Sequence, residues 1–148
     1  MAAVAVEADK ELLDRIKGHL ALLGYSMSDT PTEHNPLMAV GLHSRRPRLA
    51  IRPYKTGILI TALYKTTDQT ARDEQGFFKF INEQNVRSTI ARFYWYAPIK
   101  ALVAEMWFAG AYDATLFGLL FDEWTYDINE SFEAQKRAGS KYFQEAAL

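Results

Sequence analysis

Residues 77–108 read FFKFINEQNVRSTIARFYWYAPIKALVAEMWF, and this stretch decides the fold because it contains a helix end, a tight turn and two aromatic-rich strands. The apolar residues of FFKFI recur at helical spacing, which predicts the buried face of a helix. We expect this helix to end at Asn82 and Asn85, since Asn tolerates the left-handed conformation found after helix C-termini.

The period of the sequence changes after this helix. From Thr89 the residues alternate, which predicts a strand that is apolar on one face and amphipathic on the other. Pro98 has no N–H for a strand ladder, so it marks a turn. The run from 101 to 108 alternates again and predicts a second strand, antiparallel to the first. Arg92 and Glu105 would then lie level and form a cross-strand ion pair.

The segment before this stretch predicts a helix followed by strands. An apolar stripe over residues 9–23 predicts the first helix, with Asp9 as its N-cap and Gly24 as its C′ residue. Residues 25–36 have the composition of a surface loop. Short apolar runs separated by turn sequences then predict a three-stranded meander over residues 37–43, 48–52 and 57–64.

Two further helices complete the prediction. One opens at residues 66–70, where Thr70 and Asp73 approximate a capping box. The other begins after Gly110 with Asp113 as N-cap, and Gly139 should weaken or bend it, which leaves residues 141–148 as a last turn or a frayed tail.

The resulting order of elements is α-β-β-β-α-β-β-α. It predicts a single domain of the α+β class, in which helices pack against a five-stranded antiparallel sheet. We place the domain at residues 1–148 and its core at about residues 8–135.

The bulk composition is that of an ordinary globular protein. Hydrophobic residues make up 49% of the chain and charged residues 24%. The absence of cysteine excludes disulfides, thiolate metal sites and a cysteine nucleophile. The N-terminus lacks a basic segment ahead of its apolar run, and no run approaches the ~20 apolar residues of a membrane helix. We therefore expect a cytoplasmic protein with no membrane partner.

Charge is segregated along the chain although the net charge is only -1. No acidic residue occurs between Glu33 and Asp68, where the basic residues are Arg45, Arg46, Arg48, Arg52, Lys55 and Lys65. Beyond Met106 acidic residues predominate. Such polarity can steer an oppositely charged partner or help two copies associate, and the alternative is a solvated charged surface.

Sequence motifs for catalysis or cofactor binding are missing. His19, His34 and His43 show neither HExxH nor HxH spacing, so we expect no metal. Asp122 and Glu123 are adjacent on a predicted helix and therefore point in different directions, which does not suit an acid–base pair. Phosphate-binding glycine motifs and the serine-hydrolase elbow are also missing, so we predict a non-enzyme without cofactors.

The segment RRPRLAIRPYK could contact nucleic acid, because its cations could bind phosphates while Tyr54 stacks on a base. Its positive charges are nevertheless spread over several strands and would form only a modest patch. This distribution favours a solvated hairpin or a groove for an acidic peptide over a nucleic-acid site.

The order of elements, the helix ending in INEQN, the ARFYWY strand and the strand ending in MWF before a Gly resemble the YbjN family of bacterial proteins, which are described as proposed sensory transduction regulators. The resemblance covers about residues 8–135 and rests mainly on Asn82, Asn85 and the ARFYW strand. The fold of that family is similar to class I type III secretion chaperones. The resemblance therefore implies a homodimer that binds an extended client segment along apolar patches, without nucleotide.

Aromatic residues on both faces of the predicted sheet are the strongest indication of function. Alternation puts Phe93 and Trp95 opposite Tyr94 and Tyr96, and the few predicted helices cannot cover both faces. A second protomer or a partner segment is therefore expected on one face.

We accordingly predict a non-enzymatic, chaperone-like or regulatory protein-binding module that acts as a homodimer. The predicted partner contacts are Arg92, Tyr94, Trp95, Tyr96 and Trp107, with secondary contacts at Arg45, Arg46 and Arg48. The alternative is a small-molecule-binding or enzymatic domain with a pocket between the sheet and the C-terminal helix.

Overall fold

Helices pack on one face of an antiparallel sheet, which confirms the predicted α+β class. The computed structural model describes residues 2–147, with side-chain environments for residues 9–146. The helices are α1 (Ala2–Leu22), α2 (Asp68–Arg72), α3 (Glu74–Arg87) and α4 (Ala114–Arg137). The strands are β1 (Ser26–Asp29), β2 (Ala39–Leu42), β3 (Leu49–Tyr54), β4 (Gly57–Thr66), β5 (Arg92–Tyr96), β6 (Ala101–Ala109) and β7 (Phe143–Ala147).

The sheet has seven strands in the described chain, so the prediction of five was wrong. Its order is β1-β2-β3-β4-β6-β5, and β7 also pairs with β4. The strand β1 lies inside the predicted loop at residues 25–36. It escaped prediction because Ser26 and Ser28 are exposed at the sheet edge, where no apolar alternation is needed.

The strand β7 occupies residues 143–147 of the predicted frayed tail at residues 141–148, and residue 148 lies outside the described residues. A side chain of α4 holds it in place, since Gln135 Oε1 accepts hydrogen bonds from the N–H groups of Tyr142 (2.7 Å) and Phe143 (3.0 Å). The Gln135 Nε2 group donates to the Phe143 carbonyl at 3.0 Å. A buried amide from another element therefore orders this segment, and the local sequence carries no sign of it.

Several predicted helix ends were wrong. The helix α1 begins at Ala2, so Asp9 lies inside the helix and is not its N-cap. The helix α3 continues past Asn82 and Asn85 to Arg87. The structure also replaces the single predicted second helix with two.

The predicted capping box at Thr70 and Asp73 does not form. Asp73 instead caps α3, where its carboxylate accepts a hydrogen bond from the Gly76 N–H at 3.1 Å. Thr70 is buried inside α2 and donates its hydroxyl to the Tyr142 carbonyl. The helix is interrupted between α2 and α3 because Asp73, which caps α3, does not have a helical backbone conformation.

Two other helix ends agree with the sequence. Gly24 has a φ of 98°, and the bonds from Gly24 N to the Ala21 carbonyl and from Tyr25 N to the Leu20 carbonyl complete a Schellman motif. The N-cap of α4 is Asp113, whose side chain accepts from the Leu116 N–H at 2.8 Å.

The core fills the space between the sheet and the helices. Its largest fully buried side chains from the strands include Leu49, Ile51, Ile58, Ile60 and Tyr64. Those from the helices include Ile16, Leu20, Phe77, Phe117, Phe121 and Trp124. Apolar side chains therefore occupy the space between the sheet and α4, where the alternative hypothesis put a ligand pocket.

A buried carboxylate fixes the turn that leads into β5. Asp127 of α4 is 1% exposed and accepts hydrogen bonds of 2.8–3.2 Å from the backbone N–H groups of residues 89–91. Asn85 of α3 acts beside it, since its side chain accepts from the Phe93 N–H at 2.8 Å and donates to the Phe93 carbonyl at 2.9 Å. The helix layer therefore holds β5 through polar bonds as well as apolar contacts.

We predict that Asp127→Ala lowers the free energy of unfolding by about 3 kcal/mol, because it leaves buried N–H groups without acceptors. Urea unfolding followed by circular dichroism measures the loss. The control is Asp122→Ala on the exposed side of the same helix, which should cost less than about 1 kcal/mol. Equal losses in the two variants would contradict the role assigned to Asp127.

Two buried tyrosines should respond oppositely to loss of the hydroxyl. The Tyr64 hydroxyl has no hydrogen-bond partner among the described residues, whereas the Tyr25 hydroxyl donates to the Pro47 carbonyl at 2.8 Å. We therefore expect Tyr64→Phe to leave the free energy of unfolding unchanged or raise it, and Tyr25→Phe to lower it by about 1 kcal/mol.

The dependence of stability on alkaline pH provides a second test of Tyr64→Phe. Burial raises the pKa of Tyr64 above its ordinary value, so the unfolded chain loses this proton first as the pH rises. Stability should therefore be intact below about pH 10 and fall above it. Tyr64→Phe should reduce that fall, and an unchanged alkaline profile would contradict the prediction.

Candidate functional site

One face of the sheet carries no helix in the described chain, and we call it the open face. Strand register defines its members, because Arg92 and Thr61 both lie level with Glu105 on its two sides. Its main side chains are Arg52, Tyr54, Leu59, Thr61, Leu63, Lys65, Arg92, Tyr94, Tyr96, Val103, Glu105 and Trp107. The core cluster of the opposite face contains neither Leu59 nor Val103.

The open face has an apolar centre inside an aromatic rim. Leu59 and Val103 are buried at 8% and 2% exposure although no helix packs over them. The rim consists of half-exposed aromatic side chains: Tyr54 (42% exposed), Tyr94 (37%), Tyr96 (47%) and Trp107 (48%). Such a group of half-exposed aromatic residues is uncommon on protein surfaces that make no contact with a partner.

An ion pair between the buried Glu105 carboxylate and the exposed Arg92 side chain (71% exposed) organises the β5 side of this face. The predicted level placement of Arg92 and Glu105 is confirmed, and the Arg92 guanidinium contacts Glu105 Oε1. The Tyr94 hydroxyl donates to Glu105 Oε2 at 3.0 Å, and the guanidinium carbon of Arg92 lies 5.5 Å from the centre of the Tyr94 ring. The sequence did not indicate that one partner is buried, but the Glu105 carboxylate is only 3% exposed while Arg92 faces solvent.

Trp107 is held against the hairpin between β3 and β4. Its Nε1 donates to the Tyr54 carbonyl at 2.9 Å. Gly57 makes this contact possible, because a Cβ at that position would lie 2.7 Å from the Trp107 Nε1 and 2.4 Å from the Phe108 carbonyl oxygen. The indole is therefore positioned before any partner arrives.

A cleft of about 350 Å³ lies beside this indole. Its apolar walls include Trp107, Leu59 and Ile90, and the charged residues that line it are Lys55, Arg92 and Glu105. Glu105 pairs with Arg92, so the cleft is apolar with one further cation, Lys55, a composition suited to an apolar group carrying negative charge nearby.

The other predicted contact residues lie apart from the open face. Trp95 is on the helix-covered face, where it packs edge-on against Phe78 with ring centres 5.9 Å apart. Arg46 points to the helix layer, since it pairs with Asp122 at 3.7 Å and lies 5.9 Å from the centre of the Phe121 ring. The structure therefore brings together Arg92, Tyr94, Tyr96 and Trp107, but not Trp95 or Arg46.

Arg45 and Arg48 are exposed in the connection between β2 and β3. Sequence reasoning missed Arg52, Tyr54 and Leu59 as members of the site. Alternation within β3 and β4 could have placed each on a face, but not beside Trp107, because that needs the pairing of β4 with β6.

The histidines with described contacts have structural roles. His19 Nδ1 shares a hydrogen bond of 2.8 Å with the Tyr112 hydroxyl. His43 Nδ1 accepts from the Arg45 N–H at 2.9 Å. Among the residues that the structure describes, no group of three or more histidine or acidic side chains could hold a metal ion. The described helices include none with the length and apolar character needed to span a membrane.

Comparison with known proteins supports the fold. Neither a protein-family model nor a curated protein sequence matches the chain. Among solved structures, the crystal structure of YbjN from E. coli, a proposed transcription regulator, is similar with a TM-score of 0.68 at 13% identity. The match covers 89% of this chain and 94% of that chain. The chain therefore has a YbjN-like fold, as the resemblance of its sequence predicted.

We predict that Arg92→Met lowers the free energy of unfolding by about 2 kcal/mol, because it leaves the Glu105 carboxylate buried without a cation. A double-mutant cycle with Glu105→Gln should yield a coupling energy of about 1 kcal/mol or more. The exposed pair of Glu133 and Lys136, 3.5 Å apart, is the control, and the same cycle there should yield less than about 0.5 kcal/mol. A coupling no larger than that of the control would contradict the role assigned to Arg92 as the partner of the buried Glu105 carboxylate.

Proposed function

We propose that this chain is a non-enzymatic protein-binding module, with a regulatory or chaperone-like role, that holds a segment of a partner protein on the open face. The proposal rests on one observation: an apolar centre at Leu59 and Val103 is surrounded by half-exposed aromatic residues on a face without a helix in the described chain. The exposed apolar surface here comes from the aromatic rim, and grouped exposed apolar side chains mark contact sites. Tyrosine, tryptophan and arginine, which supply the rim here, are the residues enriched at interface hot spots.

The chemistry of the open face supports binding rather than catalysis. Its central carboxylate, Glu105, is already engaged by Arg92 and by the Tyr94 hydroxyl. A carboxylate held in this way positions its neighbours and is poorly placed to exchange protons with a substrate. YbjN is described as a proposed transcription regulator, and the shared fold is compatible with a regulatory module.

The homodimer implied by the family resemblance stays a prediction. Two open faces packed together would bring Arg52, Lys55 and Lys65 of both copies close to one another, and like charges oppose such contact. These cations form no ion pair with a described carboxylate. We therefore propose that any contact between two copies lies outside the open face, which leaves that face for the partner.

We predict that Tyr94→Ala/Tyr96→Ala abolishes capture of partner protein, because it removes two aromatic anchors from the rim. The measurement is the amount of protein retained from a cell lysate by the immobilised variant, relative to the wild type. Thermal unfolding should remain cooperative because both side chains are partly exposed, with a lowered midpoint because Tyr94→Ala removes the hydroxyl that donates to Glu105.

The matched control is Leu119→Ala/Tyr126→Ala, which removes exposed side chains from α4 (59% and 61% exposed) and should retain capture. Unaltered capture by the Tyr94→Ala/Tyr96→Ala variant would overturn the proposal. Unfolding of that variant would assign both tyrosines to the core instead. Light scattering on the wild type and both variants would test the homodimer separately.

A further inference from the structure

We infer that the partner segment held on the open face is acidic and anchors one apolar side chain in the cleft beside Trp107. This inference rests on the proposed function and adds the chemistry of the partner to it. It depends on the charge of the face, the shape of the cleft and the positions of the cations relative to the aromatic rings.

The open face has an excess of positive charge. Arg52, Lys65 and Arg92 project from it, and Lys55 follows at the β3–β4 turn. Among its described residues the carboxylate is Glu105, which is buried and already occupied by Arg92. The remaining cations form no ion pair with a carboxylate that the structure describes, so a partner with negative charge gains attraction that a neutral or basic partner does not.

The cleft defines where an apolar anchor would lie. A volume of about 350 Å³ is at the small end of the range for ligand pockets and suits one or two side chains. Its wall is preorganised, because the Tyr54 carbonyl holds the Trp107 indole. Lys55 lines the same cleft, so an acidic residue next to the anchor along the partner chain would meet this cation, whereas Arg92 is engaged by Glu105.

The cations also distinguish an acidic peptide from a nucleic acid. The guanidinium of Arg52 and the ammonium of Lys55 lie 5.1 and 5.5 Å from the centre of the Tyr54 ring, and Arg92 lies 5.5 Å from that of Tyr94. A nucleic-acid base that stacked on either ring would have to displace these groups. A carboxylate can pair with Arg52 or Lys55 where each already lies, so the arrangement favours an acidic peptide.

Binding of defined probes tests the inference. The probes are three labelled synthetic peptides that share the same leucine and phenylalanine positions and carry Glu, Gln or Lys between them, together with a single-stranded oligothymidine. Fluorescence anisotropy measures their affinity at low and at high salt. We expect the Glu peptide to bind most tightly, and we expect its affinity to fall at high salt because salt screens the charges.

Charge reversal then locates the site. Arg52→Glu/Lys55→Glu should lower the affinity for the Glu peptide by about tenfold or more. The control, Arg72→Glu/Lys79→Glu, makes the same charge change at exposed positions of α2 and α3 and should leave binding unchanged. Lys65→Glu provides a second, milder variant of the face, and thermal unfolding checks that each variant is folded.

Each other outcome has a distinct meaning. Equal binding of the Gln and Glu peptides, or no peptide binding at all, would overturn the inference that the partner segment is acidic. The proposed function would still be judged separately, by the Tyr94→Ala/Tyr96→Ala capture experiment. Tighter binding of oligothymidine that is lost in Arg52→Glu/Lys55→Glu would overturn both proposals. A wild-type dimer that this variant dissociates would assign the open face to a second copy and also overturn the acidic partner.

Discussion

The carboxylate of Asp127 is the constraint on which the arrangement of the sheet edge depends. This carboxylate lies on the interior face of α4, where it accepts hydrogen bonds from consecutive backbone N–H groups at residues 89–91. A buried carboxylate is costly unless such donors surround it, so the turn and the helix require each other. Because this turn directly precedes β5, the same bonds determine where that strand meets β6.

The position of β5 in turn determines the chemistry of the open face. Pairing with β6 sets Arg92 opposite Glu105 and Tyr94 opposite Val103. The ion pair and the tyrosine hydroxyl then share one carboxylate on a surface that Trp107 completes from β6. Helices cover the apolar residues of the opposite face, and the described chain has no further helix to cover the open face. The binding function proposed above rests on the half-exposed aromatic residues that this uncovered face carries.

Much of the fold could be predicted where local patterns carry the signal. The helix, turn and paired strands of residues 77–108 follow from periodicity and from Pro98, and the Gly24 and Asp113 caps follow from local backbone chemistry. The polar edge strand β1 and the final strand β7 could not be predicted in this way. The first has no buried face to leave a pattern, and Gln135 of α4 orders the second.

The sequence by itself determined that Tyr94 and Tyr96 lie on the opposite side of a strand from Phe93 and Trp95, because alternation is a property of the extended backbone. Only the tertiary structure decided which side the helices cover. That choice depends on contacts between residues far apart in the chain, such as the turn at residues 89–91 with α4 and the pairing of β4 with β6. Those contacts placed the tyrosines on the open side and Trp95 under the helices.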